Sequence, residues 1–214
     1  LLDALATVKP YMLITVPLVI EKIFKSSVFP TIRKPVVKSI MKVPGLASVN
    51  YKQIRKKLLH AFGGSIRTII IGGAAINQEV EDLMKAVKLP YTVGYGMTEC
   101  GPLLSYEDTA RFVKGSCGKP VQRMSLRIDS EDPRTIVGEI QARGDNVMIG
   151  YYKNPEATAA AFTKDGWLRT GDLGLMDKDN NVFIKGRSKS LIIGASGQNI
   201  YPEEIEDKLN NQPY

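Results

Sequence analysis

The sequence predicts an α/β protein: part of a βαβ-type sheet subdomain, then a small β-rich subdomain, then the opening of a further domain. Three observations carry this. A β-branched run, Ile66 to Ile71, stops abruptly at Gly72-Gly73 and leads into a helical apolar period and a second short strand. From about Gly115 the texture changes to short strands separated by turn-rich pieces. After Arg187 come a strand, a glycine turn and a proline-started helix, in too few residues to own a core. The expected boundaries are residues 1–114, 115–186 and 187–214.

The elements follow in chain order. Pro17 is placed to open a helix whose apolar face is Ile20, Ile23, Phe24 and Val28. Ile54, Leu58 and Phe62 make a second apolar stripe, opposed by Lys52, Arg55, Lys56 and Lys57. The run Ile66–Ile71 reads as a buried strand. Asn77 then caps a helix carrying Val80, Leu83, Met84 and Val87, and Tyr91-Thr92-Val93 makes the next strand. Strands are expected at Ser125–Ile128, Val137–Ala142 and Val182–Lys185, with turns at Ser130–Pro133 and Asp177–Asn181. Asn154-Pro155 reads as the cap and first turn of a helix reaching Phe162. Leu191–Ile193 is the last strand, and Pro202 starts the last helix.

With 43% hydrophobic and 24% charged residues among 214, the composition is that of an ordinary globular protein. No apolar run reaches the ~18 residues of a spanning helix, and no signal-peptide pattern opens the chain. Two cysteines, Cys100 and Cys117, are too few for a disulfide scaffold and form no zinc pattern, which points to a reducing cytosol. The chain begins Leu1-Leu2 and ends Gln212-Pro213-Tyr214 just after a helix has started, as a piece of a longer protein would.

The net charge of +7 is uneven. Residues 1–60 hold eleven Lys and Arg against Asp3 and Glu21, so this block carries +9 and the rest −2. Such a block meets anionic lipid or is simply a solvated helix surface. Aromatic residues are not interleaved with the basic ones, which argues against nucleic acid.

Chemistry concentrates in two glycine-bearing segments. Gly94-Tyr95-Gly96-Met97-Thr98-Glu99 puts a turn, an aromatic ring, a hydroxyl and a carboxylate within six residues. A hydroxyl donates to phosphate oxygen, and a carboxylate is a hard ligand suited to Mg²⁺, which needs only one or two of them. Gly166-Trp167-Leu168-Arg169-Thr170-Gly171-Asp172 ends on an acid able to accept from two ribose hydroxyls. Gly186-Arg187-Ser188-Lys189 follows it. Each piece has a purely structural reading: a strand-to-helix turn at Gly72-Gly73-Ala74, a core ring at Tyr95, a turn acid at Asp172, a surface Arg187. Taken in order and spacing they point to a nucleotide site. His60 reads as an exposed helix residue, and Cys100 has no basic neighbour in sequence to activate it.

In this order the segments resemble the adenylate-forming (AMP-binding) superfamily of acyl-CoA synthetases, peptide synthetases and luciferases. The opening Val8–Leu18 and Glu21-Lys22-Ile23 are most similar to long-chain fatty-acid–CoA ligases. The resemblance implies that the β-rich part is a distorted barrel and that residues 187–214 start a mobile α+β C-terminal domain. It places adenine against Gly72, Gly73, Ala74 and Tyr95, with Gly96 and Met97 in the same binding segment. It gives the phosphates to Thr98 and Mg²⁺ to Glu99, both catalytic. It gives the ribose to Asp172 with Arg187 nearby, a hinge to Lys189 and the pantetheine channel to Gly197. The implied reaction joins a fatty acid to ATP as an acyl-adenylate and passes the acyl group to CoA. Membrane-side work by such enzymes gives the basic block a role as a peripheral lipid contact. A phosphate loop before residue 1 and an adenylation lysine after residue 214 are expected outside the chain, so this polypeptide alone is expected to be inactive. Transfer to a carrier-protein thiol and a noncatalytic AMP-binding module are the alternatives.

Overall fold

The structure is a computed structural model that describes residues 2–33, 46–194, 196 and 198–210. Lys34, Lys38 and Lys42 of the basic block, and Gly197, lie outside the described residues. The chain divides into two compact units, Leu1–Thr92 and Val93–Tyr214. The sequence reading placed its first boundary at residue 114. The strand that bears Tyr95 pairs with later strands, which groups residues 93–114 with the β-rich part.

The first unit is built on a three-stranded sheet of β1 (Met12–Thr15), β2 (Thr68–Ile71) and β3 (Tyr91–Val93), in that order. β1 and β2 run parallel, with Met12 opposite Thr68 and Thr15 opposite Ile71. Parallel strands need a crossover. It holds the helices α2 (Pro17–Ile23), α3 (Phe29–Ile32) and α4 (Leu46–Ala61), after α1 (Leu2–Val8) has led into β1. Pro17 occupies the first turn of α2, where its missing N–H costs nothing. A single π-helical turn, Phe24–Val28, joins α2 to α3. The expected face is buried: Ile20, Ile23, Phe24 and Val28, packed with Phe29, Leu58 and Phe62. α5 (Gln78–Ala86) returns the chain to β3. Its cap Asn77 accepts from the Val80 N–H at 3.2 Å, and the Glu21 carboxylate accepts from the Asn77 N–H at 3.0 Å. His60 is exposed, as expected of a polar helix residue.

The second unit holds two antiparallel sheets and a short hairpin. β4 (Tyr95–Gly96), β5 (Leu103–Tyr106) and β6 (Lys119–Pro120) form one. The other has the order β10-β9-β8-β7, from β7 (Met124–Asp129), β8 (Gly138–Gly144), β9 (Leu168–Met176) and β10 (Val182–Arg187). These are open sheets, and among the described residues none closes into a barrel. Met124, Leu126 and Ile128 alternate inward along β7 and meet a core that includes Leu104, Ile140, Leu168 and Val182. Each such side chain contributes about 1.5–3 kcal/mol by leaving water. Asp177 makes the tight turn between β9 and β10, accepting from the N–H groups of Asp179 at 2.9 Å and Asn181 at 2.8 Å. α6 (Pro155–Ala161) is capped by Asn154, which accepts from Ala157 N–H at 3.0 Å. The hairpin β11 (Ile192–Ile193) and β12 (Asn199–Ile200) precedes α7 (Pro202–Asn210).

Candidate functional site

β4 brings the first motif into the second unit as strand, then turn. Gly96 lies so close to the next segment that a Cβ there would meet the Pro102 carbonyl oxygen at 1.9 Å, so only glycine fits. Met97 N–H donates to that same oxygen at 2.8 Å, which folds Thr98–Cys100 into one 3₁₀ turn. Thr98 is exposed on this turn and Glu99 is half-buried. Cys100 is wholly buried. Burial, then the Glu99 charge, push its thiol up to about 11, so it is a protonated packing residue and not a nucleophile.

The second motif does not form a simple turn. Its last five residues, from Leu168, lie within β9, where Thr170, Gly171 and Asp172 stand opposite Ile140 alone, between the pairs Gln141–Arg169 and Glu139–Leu173. This is a β-bulge. Gly171 takes the left-handed conformation with φ +71° that the bulge requires. Three groups fasten it. Thr170 hydroxyl donates to the Ile140 carbonyl at 2.7 Å, Glu139 accepts from Gly171 N–H at 3.2 Å, and Ser188 hydroxyl donates to the Gly171 carbonyl at 3.0 Å. Glu139 is tied in turn by Arg169 at 3.0 Å.

The bulge presents Asp172, and the two motifs meet there. Tyr95 hydroxyl donates to Asp172 Oδ2 at 2.8 Å, and Arg187 Nε donates to Oδ1 at 3.1 Å. Arg187 is Asp172's cross-strand partner on β10. Burial, reinforced by the Asp172 charge, pushes the Tyr95 phenol well above its ordinary value, so it stays a donor. Tyr95 therefore joins the core and the site at once. Lys189 is exposed in the turn after β10, where Ser190 N–H donates to the Arg187 carbonyl at 3.1 Å.

Glu99 has a partner that the sequence reading missed. Tyr151 hydroxyl donates to Glu99 Oε1 at 2.9 Å, and Met148 N–H donates to the Glu99 carbonyl at 2.7 Å. Tyr151 backbone N–H is held by Thr158 Oγ1 at 2.9 Å. The only local signal was an aromatic pair following Gly150, which carries no chemistry by itself. The hydrogen bond to Glu99, with burial and the Glu99 charge, raises the Tyr151 phenol above its ordinary value. Among the described residues no three His, Cys, Asp or Glu side chains gather to hold a metal ion. A metal at Glu99 would thus complete its shell with phosphate oxygens and water, a mode that suits Mg²⁺. Gly72, Gly73 and Ala74 belong to the first unit, directly after β2, with Gly73 at φ +87°.

Within the second unit a bulge-borne acid is thus gripped by a buried tyrosine, and a carboxylate-bearing turn follows that tyrosine. The profile of the AMP-binding enzyme family matches residues 1–152, and the chain belongs to that family. The chain is 39% identical over 173 residues to 4-coumarate–CoA ligase 2 of Solanum tuberosum, covering 74% of this chain and 31% of that protein. It is 33% identical over 233 aligned positions to long-chain-fatty-acid–CoA ligase FadD15 of Mycobacterium bovis, covering all of this chain and 38% of the relative. Among solved structures, ATP-bound MatB from Rhodopseudomonas palustris superposes with a TM-score of 0.73 at 27% identity, over 99% of this chain and 37% of that one. O-succinylbenzoate coenzyme A synthetase from Bacillus subtilis, in complex with ATP and magnesium, gives 0.72 at 26% identity over 98% of this chain and 38% of that one. The chain thus spans only 31–38% of the length of these proteins.

Proposed function

We propose that this chain supplies the nucleotide-binding part of an acid–thiol ligase that activates a long-chain fatty acid with ATP and transfers it to CoA. The observation that carries the reading is the Tyr95–Asp172–Arg187 cluster. It fixes one carboxylate in place as an acceptor for paired ribose hydroxyls, with the Arg187 cation beside it. Adenine lies against Tyr95, Gly96 and Met97. Thr98 donates to phosphate oxygen, and Glu99, steadied by Tyr151, holds Mg²⁺, which neutralises phosphate charge.

The fatty-acid carboxylate attacks the α-phosphorus of ATP and pyrophosphate leaves. CoA thiolate then attacks the acyl carbon and AMP leaves. No protein nucleophile takes part, in keeping with the buried, protonated Cys100. Lys189 serves as the hinge of the following domain. Because the chain spans about a third of its relatives, the isolated polypeptide turns over little or not at all.

The alignment to a long-chain ligase over the whole chain supports the fatty-acid substrate. The higher identity to 4-coumarate–CoA ligases over 74% of the chain supports an aromatic acid as the second reading. The decisive experiment is calorimetry of the chain with ATP and with AMP, each with Mg²⁺, repeated on Asp172→Ala. Binding that is lost in the variant supports the reading. Binding that is unchanged, or no binding by the wild-type chain, overturns the claim that these residues make a nucleotide site. Lipid contact by the basic block is tested separately: failure to bind anionic vesicles at low salt removes it.

A further inference from the structure

Glu99 offers its two carboxylate oxygens unequally. The Tyr151 hydroxyl donates to Oε1 at 2.9 Å. Among the described residues no group donates to Oε2, and no Lys or Arg pairs with the side chain. A hydrogen bond takes one lone-pair direction of Oε1 and draws on its charge, which leaves Oε2 the stronger donor to a metal.

The contact is set by ties that need no metal. Tyr151 N–H donates to Thr158 Oγ1 at 2.9 Å, and the Thr158 hydroxyl donates in turn to the Asn154 carbonyl at 2.8 Å. Tyr151 is thereby seated on α6 and its cap. Gly150 packs on the same residue, since a Cβ there would stand 2.7 Å from Thr158 Cγ2. Met148 N–H donates to the Glu99 carbonyl at 2.7 Å, and Asn146 Nδ2 donates to the Leu103 carbonyl at 2.8 Å. The segment from Asn146 to Tyr151 is thus strapped to the turn that bears Glu99, and the phenol is aimed at one oxygen.

We propose that Tyr151 is a specificity-determining residue: it makes Glu99 a one-oxygen ligand and so favours Mg²⁺ over Ca²⁺. Mg²⁺ keeps a tight octahedral shell and is bound through one or two carboxylates with phosphate oxygens and water. Ca²⁺ takes roughly six to eight oxygens at longer, more flexible distances and uses bidentate carboxylates. Occupying one oxygen therefore costs Mg²⁺ little and takes a ligand from Ca²⁺. The inference rests on the reading of Glu99 as the carboxylate that holds the metal of the metal–ATP complex.

The test is calorimetric titration of the full chain with ATP, with Mg²⁺ or Ca²⁺ in excess over the nucleotide. Wild type, Tyr151→Phe, Tyr152→Phe and Glu99→Gln are compared. Wild type is expected to bind Mg·ATP more tightly than Ca·ATP. Tyr151→Phe, which deletes one hydroxyl and keeps the ring, should shrink that preference by about fivefold, chiefly by tightening Ca·ATP. Tyr152→Phe, at the exposed neighbouring ring, should leave it unchanged. No preference for Mg·ATP in wild type overturns the proposal, as does an equal shift in Tyr151→Phe and Tyr152→Phe. Glu99→Gln weakening binding with either metal while Tyr151→Phe changes nothing overturns the proposal alone and leaves the metal reading standing. ATP binding that Glu99→Gln does not alter, or no ATP binding by wild type, overturns both.

Discussion

The Tyr95 phenol donates to Asp172 Oδ2 at 2.8 Å across 77 residues of sequence, while Arg187 holds the other oxygen at 3.1 Å. The two ties are unequal. The Arg187 side chain is 74% exposed, and exposed ion pairs contribute at most ~1 kcal/mol. The Tyr95 bond is buried and made to a charged group, worth about 1.5–3 kcal/mol. Tyr95→Phe should therefore cost about 2 kcal/mol in urea denaturation, and Arg187→Ala less than about 1. Arg187→Ala proving the costlier change would reverse this ranking.

Gly96→Ala forces a methyl group onto the Pro102 carbonyl, and the obstacle is backbone that cannot rotate away. We expect a loss of about 3 kcal/mol, the upper range for overpacking. A midpoint within error of wild type would show that the turn before Thr98 yields easily.

Stability should fall as pH rises from about 9 to about 11. Cys100 in the folded chain holds its proton up to about 11, against an ordinary value of 9.0, so the unfolded chain ionises first and gains on the native state. The contribution is complete below pH 9 and gone above pH 11. Tyr91 and Tyr95, also held up by burial, extend the loss further. Thiol labelling should find Cys100 unreactive in the native chain at pH 8. Rapid labelling there without unfolding would contradict its burial.

Glu99→Gln removes the charge that faces Tyr151. The Tyr151 phenol should then ionise at lower pH than in wild type, read as the ultraviolet titration difference against a Tyr151→Phe partner in each background. An unchanged titration would mean that the 2.9 Å contact is not kept in solution.

Asn154→Ala deletes the acceptor for Ala157 N–H and should destabilise the second unit by about 1 kcal/mol. Asn154→Ser, able to cap in the same way, should recover most of that loss.

What the sequence disclosed depended on how local the physics was. Asn77, Asn154 and Pro17 act within one helical turn, so their roles were legible from neighbouring residues. Glycine and acid motifs were legible as a set, and the structure brings Tyr95, Asp172 and Arg187 together. β1 escaped because its side chains are half-buried or exposed, so no buried run marked it. β9 escaped because Thr170-Gly171-Asp172 is turn chemistry set inside a strand, and periodicity breaks there. Tyr151 lies 52 residues from the Glu99 it touches, and only tertiary structure can join them. Nothing local could have announced that pair.

The register around Asp172 has a consequence for how this sheet tolerates change. Arg169 and Leu173 are four residues apart on β9, whereas their partners Gln141 and Glu139 are two apart on β8, so the excess is an even number. Side chains alternate with period two, and an even excess leaves Leu168 and Gly174 in phase, both facing inward. The acid-bearing segment is thus a cassette set into the antiparallel ladder of β8 and β9. Removing Thr170 and Gly171 together would close the ladder and preserve its faces. Removing Gly171 alone would turn everything beyond it inside out. The sheet and the site it carries are separable by parity.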